Sequence, residues 1–173
     1  GTTALITGAS DGIGRATALA LAAKGHDLVL SARNSQQLDA LSLELHQRYG
    51  VLVRTLSADL TTPAGNEALA NLIQETRPQI AVLAAGYGSC GDFLSLDPHS
   101  EAQMIDLNCR AVLTQTQVLA AQMSERGDGH IVLFGSLVGF QGCAYSANYA
   151  ATKAYIQAFA EGLTLERSEE RRV

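Results

Sequence analysis

Residues 2–14 read Thr2-Thr3-Ala4-Leu5-Ile6-Thr7-Gly8-Ala9-Ser10-Asp11-Gly12-Ile13-Gly14. Thr2 to Thr7 is a short, apolar, β-rich run, which predicts a buried strand. Glycines follow at 8, 12 and 14, then Arg15, and Ala16 to Lys24 is rich in Ala and Leu and predicts a helix. A strand, a glycine-rich turn and a helix in that order form a phosphate-binding element. The glycines let the backbone turn tightly and approach a pyrophosphate, whose charge rests at the helix N-terminus. The alternative is a plain turn, rich in Gly for steric reasons. The spacing is Gly-x-x-x-Gly-x-Gly rather than the Gly-x-Gly-x-x-Gly of many dinucleotide binders, which points to a particular subset.

Working outward, Asp27 to Ser31 (DLVLS) predicts the next strand and closes a first βαβ unit. Dinucleotide folds place an acid near this point to hold the ribose 2′-hydroxyl, or an arginine to accept a 2′-phosphate. Here the strand ends Ser31-Ala32-Arg33-Asn34, with no acid and one arginine, and Arg15 in the turn adds a second positive charge. NADP(H) is therefore favoured over NAD(H), although a solvated surface arginine has the same appearance.

Ser35 to Tyr49 has helical spacing of Leu38, Leu41 and Leu45, with Ser35 as its cap and Gly50 ending it. Val51 to Leu56 predicts a third strand, followed by Ser57-Ala58-Asp59-Leu60. Pro63 then opens a helix that Arg77-Pro78 breaks. Ile80 to Ala85 (IAVLAA) is an all-apolar fourth strand of the kind a parallel sheet buries on both faces. A glycine-containing loop covers 86–91, a long helical region covers 98–126, and His130 to Phe134 (HIVLF) is the last clear strand. This alternation predicts one α/β domain over residues 1–173, a doubly wound parallel sheet with helices on both faces.

The last strand leads into Ser136, and thirteen residues on comes Tyr149, with Lys153 four further along. Four residues are about one helical turn, so phenol and ammonium share a face. A lysine beside a tyrosine favours phenolate over phenol, and such a pair can move a proton near neutral pH. The plainer reading is an amphipathic helix that happens to carry both residues. Tyr145 would fall one turn earlier on the same face, suited to a substrate pocket or the core.

Composition narrows the function. The chain is 47% apolar and 17% charged, so it folds as a globule. A net charge of −5 with scattered Lys and Arg argues against nucleic acid or an anionic membrane as partner. No apolar run approaches the ~18 residues of a spanning helix. The N-terminus lacks the pattern of a signal peptide. Gly1 in place of Met means that at least one end has been processed or continues. Cys90, Cys109 and Cys143 share no metal-ligand spacing with one another or with the four histidines. Free buried thiols in a reducing cytosol, with no metal site, are expected.

Together these residues resemble the short-chain dehydrogenase/reductase family in its single-domain form. The matches are Thr7-Gly8-x-x-x-Gly12-Ile13-Gly14, Asp59-Leu60, Ala85-Gly86, Asn108, Ser136 and Tyr149-x-x-x-Lys153, and they run the length of the chain. The resemblance implies reversible hydride transfer between a nicotinamide and a small carbonyl or alcohol. Tyr149 would be the general acid/base, Lys153 would support it and bond the nicotinamide ribose, and Ser136 would hold the substrate oxygen. Asn108 would anchor a water linked to Lys153. Gly8, Ser10, Gly12, Ile13, Gly14, Arg15, Arg33, Asn34, Asp59, Leu60, Ala85 and Gly86 would line the cofactor. A homodimer or homotetramer formed through the two long helices is also implied. The readings from other classes are a nucleotide sensor without catalysis and an inactive fragment.

Two departures stand out. Leu83-Ala84-Ala85-Gly86 carries Ala84 where the family usually has an asparagine that helps fix the central strand. Family members also run on through a sixth and a seventh strand. Ending at Val173 predicts a missing C-terminal part and a fifth strand left as an apolar edge.

Overall fold

A computed structural model describes residues 1–135 and 144–170. Five strands, β1 (Thr3–Thr7), β2 (Asp27–Ala32), β3 (Val53–Ser57), β4 (Ile80–Leu83) and β5 (His130–Leu133), form one sheet in the order β3-β2-β1-β4-β5. All four pairings are parallel, with Ile6 opposite Leu30 and Val82, and Val82 opposite Val132.

Each crossover is a helix: α1 (Gly12–Ala23), α2 (Ser35–Tyr49), α3 (Pro63–Thr76), and the run α4 (Pro98–Ile105), a π turn (Asp106–Ala111) and α5 (Val112–Arg126). After β5 comes α6 (Ala147–Glu170). Strand side chains alternate between the faces, so the core divides in two. Ala4, Ile6, Leu28 and Leu30 pack with Leu38, Leu41 and Leu45 beneath α1 and α2. Leu5, Val29, Ala81 and Leu83 pack with Leu69, Ile73, Leu119 and Ile156 beneath α3, α5 and α6. Each fully buried Leu or Ile contributes about 2 kcal/mol of transfer free energy. The helices therefore cover both faces, as the alternation of strand and helix patterns predicts.

Local chemistry sets the boundaries. Gly50 ends α2 at φ 70°, and Arg77 ends α3 in the left-handed region at φ 46°. Pro63 occupies the first turn of α3, which Thr62 caps by accepting from the Gly65 N–H at 3.1 Å. Several expectations need correction. Asn34, not Ser35, caps α2, because its Oδ1 accepts from the Gln37 N–H at 3.0 Å. The first helix starts at Gly12, inside the glycine-rich turn, rather than at Ala16. Tyr145 lies before α6, not on it: its φ is 63° and its side chain is exposed. Of the cysteines, Cys109 is buried but Cys90 is exposed, and Cys143 falls outside the described residues.

Among the described residues β3 and β5 are the two edges of the sheet, and Val132 on β5 is 41% exposed. Among the described residues no helix is long and apolar enough to cross a membrane.

Candidate active site

In a parallel sheet every strand ends at the same edge, so the segments that leave the strands gather there. Gly8 follows β1, Arg33 and Asn34 follow β2, Asp59 and Leu60 follow β3, and Ala85 and Gly86 follow β4. The chain reverses its winding direction between β1 and β4, the place where such sheets open a crevice.

The glycines of the turn answer to different demands. Gly8 has φ 62°, and a Cβ there would lie 2.9 Å from the backbone N and Cα of Ala85. It is therefore the point where the segments leaving β1 and β4 touch. A Cβ on Gly14 would lie 2.0 Å from the Gly8 carbonyl, so α1 can start directly over the turn only with Gly at that position. Gly12, at φ 53°, faces open space. Ser10 is half-buried in the turn, and Ile13 is exposed.

Thr7 also holds the crevice together, a role the sequence reading passed over. Its Oγ1 accepts from the Ala85 N–H at 3.2 Å, and Thr7 is buried. That bond ties the end of β4 to β1 although Ala84 has no amide to offer. A polar residue closing an apolar strand was the available signal.

The charged candidates separate. Arg15 is paired with Glu44 of α2 at 3.1 Å, whereas Arg33 is exposed beyond β2. Asp59 accepts at Oδ1 from the Thr61 hydroxyl at 2.6 Å and the Thr61 N–H at 3.0 Å. Those two bonds, with a smaller contribution from the Arg33 charge, hold its carboxyl below the usual value. Leu60 is buried, and its carbonyl accepts from Asn66 at 2.9 Å.

Tyr149 and Lys153 lie one turn apart on α6, and the Lys153 Nζ stands 5.7 Å from the centre of the Tyr149 ring. Lys153 donates to the Phe134 carbonyl at 3.3 Å, and burial pushes its ammonium below the usual lysine range. Both residues line a cleft of about 130 Å³ with Ile13, Ala84, Gly86 and Phe134. The glycine-rich turn and the Tyr/Lys pair thus open onto one space.

Asn108 sits in the π turn, where a wide turn replaces regular α-helix. It is 2% exposed, and its side chain grips the backbone of Tyr87 from both sides. Its Oδ1 accepts from the Tyr87 N–H at 3.1 Å, and its Nδ2 donates to the Tyr87 carbonyl at 2.8 Å. A second Nδ2 bond reaches the Thr152 hydroxyl at 3.1 Å. Ser136 falls outside the described residues.

A family model described as short chain dehydrogenase matches residues 2–173. This chain belongs to the short-chain dehydrogenase family. Among curated members, a very-long-chain 3-oxoacyl-CoA reductase of Neurospora crassa is 34% identical over 98% of this chain and 53% of its own. The chain thus spans about half the length of that relative. Among solved structures, a short-chain dehydrogenase from Sphingobium yanoikuyae in complex with NADPH is 40% identical. It superposes with a TM-score of 0.93 over 97% of this chain and 66% of its own. A bulky-bulky ketone specific alcohol dehydrogenase from Comamonas testosteroni is 35% identical, with a TM-score of 0.93 over 97% and 68%. The parallel sheet and its helices are therefore a fold that this chain shares with other members of the family.

Proposed function

We propose that the chain is the cofactor-binding and proton-transferring part of an NADP(H)-dependent oxidoreductase that interconverts a small carbonyl compound and an alcohol. One observation carries this reading: Tyr149 and Lys153 line the same cleft as Ile13 of the glycine-rich turn and Gly86 beyond β4.

The residues present suit such a cofactor. The N-cap of α1, Asp11, makes no side-chain hydrogen bond to the first-turn amides, and Gly12 beside it faces open space. Those amides and the positive end of a twelve-residue helix favour a pyrophosphate. Arg33 is the better candidate for a 2′-phosphate, since Glu44 already engages Arg15. The related Sphingobium yanoikuyae enzyme, with its NADPH, supports the same choice. Asp59 would meet the adenine with a carboxylate that Thr61 orients, beside the Leu60 backbone, and Ala85 and Gly86 would pass along the cofactor.

A nicotinamide held in this cleft would supply the hydride for the carbonyl carbon, or the acceptor for hydride from the alcohol carbon. Tyr149 gives its phenolic proton to the carbonyl oxygen in reduction and receives the hydroxyl proton in oxidation. The Lys153 ammonium supports the charge left on the phenolate oxygen. Ser136 would hold the substrate oxygen, and Asn108 would anchor a water that relays protons through Lys153. A homodimer or homotetramer would bury the exposed Ile105, Leu113, Tyr155 and Leu165 of the long helices.

Replacing Tyr149 with Phe in the full-length protein tests this. NADPH oxidation with a ketone panel should fall by about 10²–10⁴-fold, while the Kd for NADPH, read by its fluorescence, stays within about twofold. Turnover that survives the substitution rejects Tyr149 as the proton donor. A protein that binds NADPH but reduces no carbonyl before the substitution is a nucleotide sensor instead.

A further inference from the structure

The proton-donating phenol needs a fixed position, and the contacts around Tyr149 form a closed circuit. Thr152 lies between Tyr149 and Lys153 in sequence and is 3% exposed. Its hydroxyl donates to the Tyr149 carbonyl at 2.8 Å and accepts from Asn108 Nδ2 at 3.1 Å. Asn108 in turn clamps the Tyr87 backbone. The next residue, Gly88, closes the circuit. A Cβ there would lie 3.1–3.3 Å from Cδ2, Cε2 and Cγ of the Tyr149 ring, so the bare backbone packs against the phenol.

We infer that Thr152 is a positioning residue for Tyr149, acting through Asn108 and the 87–88 backbone. This inference rests on the function proposed above.

The hydrogen-bond accounting gives the reason. A hydroxyl has one proton, and here that proton goes to the Tyr149 carbonyl. Its lone pairs then face Asn108, which must turn its NH₂ toward Thr152. The same orientation is the one in which Asn108 satisfies both the N–H and the carbonyl of Tyr87. Valine at 152 matches threonine in shape but offers no acceptor. One Nδ2 proton of a buried amide would be left unpaired, an arrangement that structures avoid by shifting. The shift is passed to the backbone that packs against the phenol ring. Glycine at 88 belongs to the same device, since a side chain there would press on the ring.

The test compares Thr152→Val, Thr152→Ser and Tyr149→Phe in the full-length protein, using NADPH and 1-phenylpropane-1,2-dione as the ketone probe. Misplacement of a reacting group by about 1 Å costs up to about 10²-fold. Thr152→Val should accordingly lower kcat by about tenfold or more with KM for NADPH within about twofold. Thr152→Ser keeps the hydroxyl and should stay within about threefold of the parent. Hydrogen exchange supplies a readout that needs no turnover. The Tyr87 amide should exchange faster in Thr152→Val only, with the β1 and β4 amides unchanged.

Equal losses in the Val and Ser variants would overturn the inference, as would a Val variant with parental kcat or parental Tyr87 exchange. If the parent fails to reduce the probe, the proposed function is what is challenged, and the exchange comparison still decides the Thr152 circuit. If Thr152→Val does not fold, Thr152→Ala removes the same acceptor and takes its place.

Discussion

Lys153 donates to the carbonyl of Phe134 at 3.3 Å, which ties the second turn of α6 to the chain just beyond β5. The same ammonium is partly desolvated, and burial lowers its proton affinity, with the nearby Cys109 opposing the change slightly. The residue therefore costs the fold something while serving the cleft.

The sign of that cost can be worked out. Unfolded, the lysine keeps its proton up to its ordinary value of 10.5, whereas folded it releases the proton at lower pH. Between those two points the unfolded chain binds more protons, so stability rises with pH there, and below them the full penalty applies. Lys153→Met should abolish ketone-dependent NADPH oxidation. It should leave stability at pH 7 within about 1 kcal/mol of the parent, since one net hydrogen bond is lost as a burial penalty is relieved. The rise in urea midpoint toward pH 10 should flatten. A large stability loss at pH 7 would mean that the ammonium is chiefly structural.

Gly8 and Gly12 both have positive φ but differ in surroundings, which predicts unequal costs. Gly12→Ala meets open space and carries only the left-handed backbone penalty, about 1 kcal/mol. Gly8→Ala adds an overlap with the backbone of Ala85 that no rotamer can relieve, so roughly 3 kcal/mol or more is expected. Urea denaturation of the two variants measures the gap, and equal midpoints would refute the close approach of the two strand ends.

Arg33 and Arg15 should contribute differently to cofactor choice. Removing a charged hydrogen-bond donor costs about 1.5–3 kcal/mol, or roughly 10–100-fold in affinity. Arg33→Ala should raise the Kd for NADPH by that factor and leave NADH little changed. Arg15→Ala should weaken NADPH binding far less, because that guanidinium is held by Glu44 at 3.1 Å. If the two arginines exchange these effects, the salt bridge opens on binding and Arg15 is the phosphate ligand.

Much of the architecture was legible in local sequence. The apolar runs at 2–7, 27–31 and 80–85 hold the parallel strands Thr3–Thr7, Asp27–Ala32 and Ile80–Leu83, and Leu38, Leu41 and Leu45 form the buried face of α2. Signals such as Gly50 and Pro63 worked because they act on their own backbone torsions or on amides within one turn. Local reading faltered where two residues compete for one role. Asn34 and Ser35 can each cap a helix, and only backbone geometry decides between them. The π turn had no local signature, and it divides what reads as one long helix over 98–126.

The βα alternation, the glycine-rich turn and the Tyr149–Lys153 face are set by local sequence, because each depends on residues within a few positions of one another. Only tertiary packing makes Gly8 meet Ala85, pairs Arg15 with Glu44 while Arg33 lies exposed, and lets Asn108 join Tyr87 to Thr152. Those partners lie 21 to 77 residues apart. Periodicity and propensity carry no information over such separations. Only the packing of helices on a twisted parallel sheet brings them within the few ångströms over which a hydrogen bond or a steric contact acts.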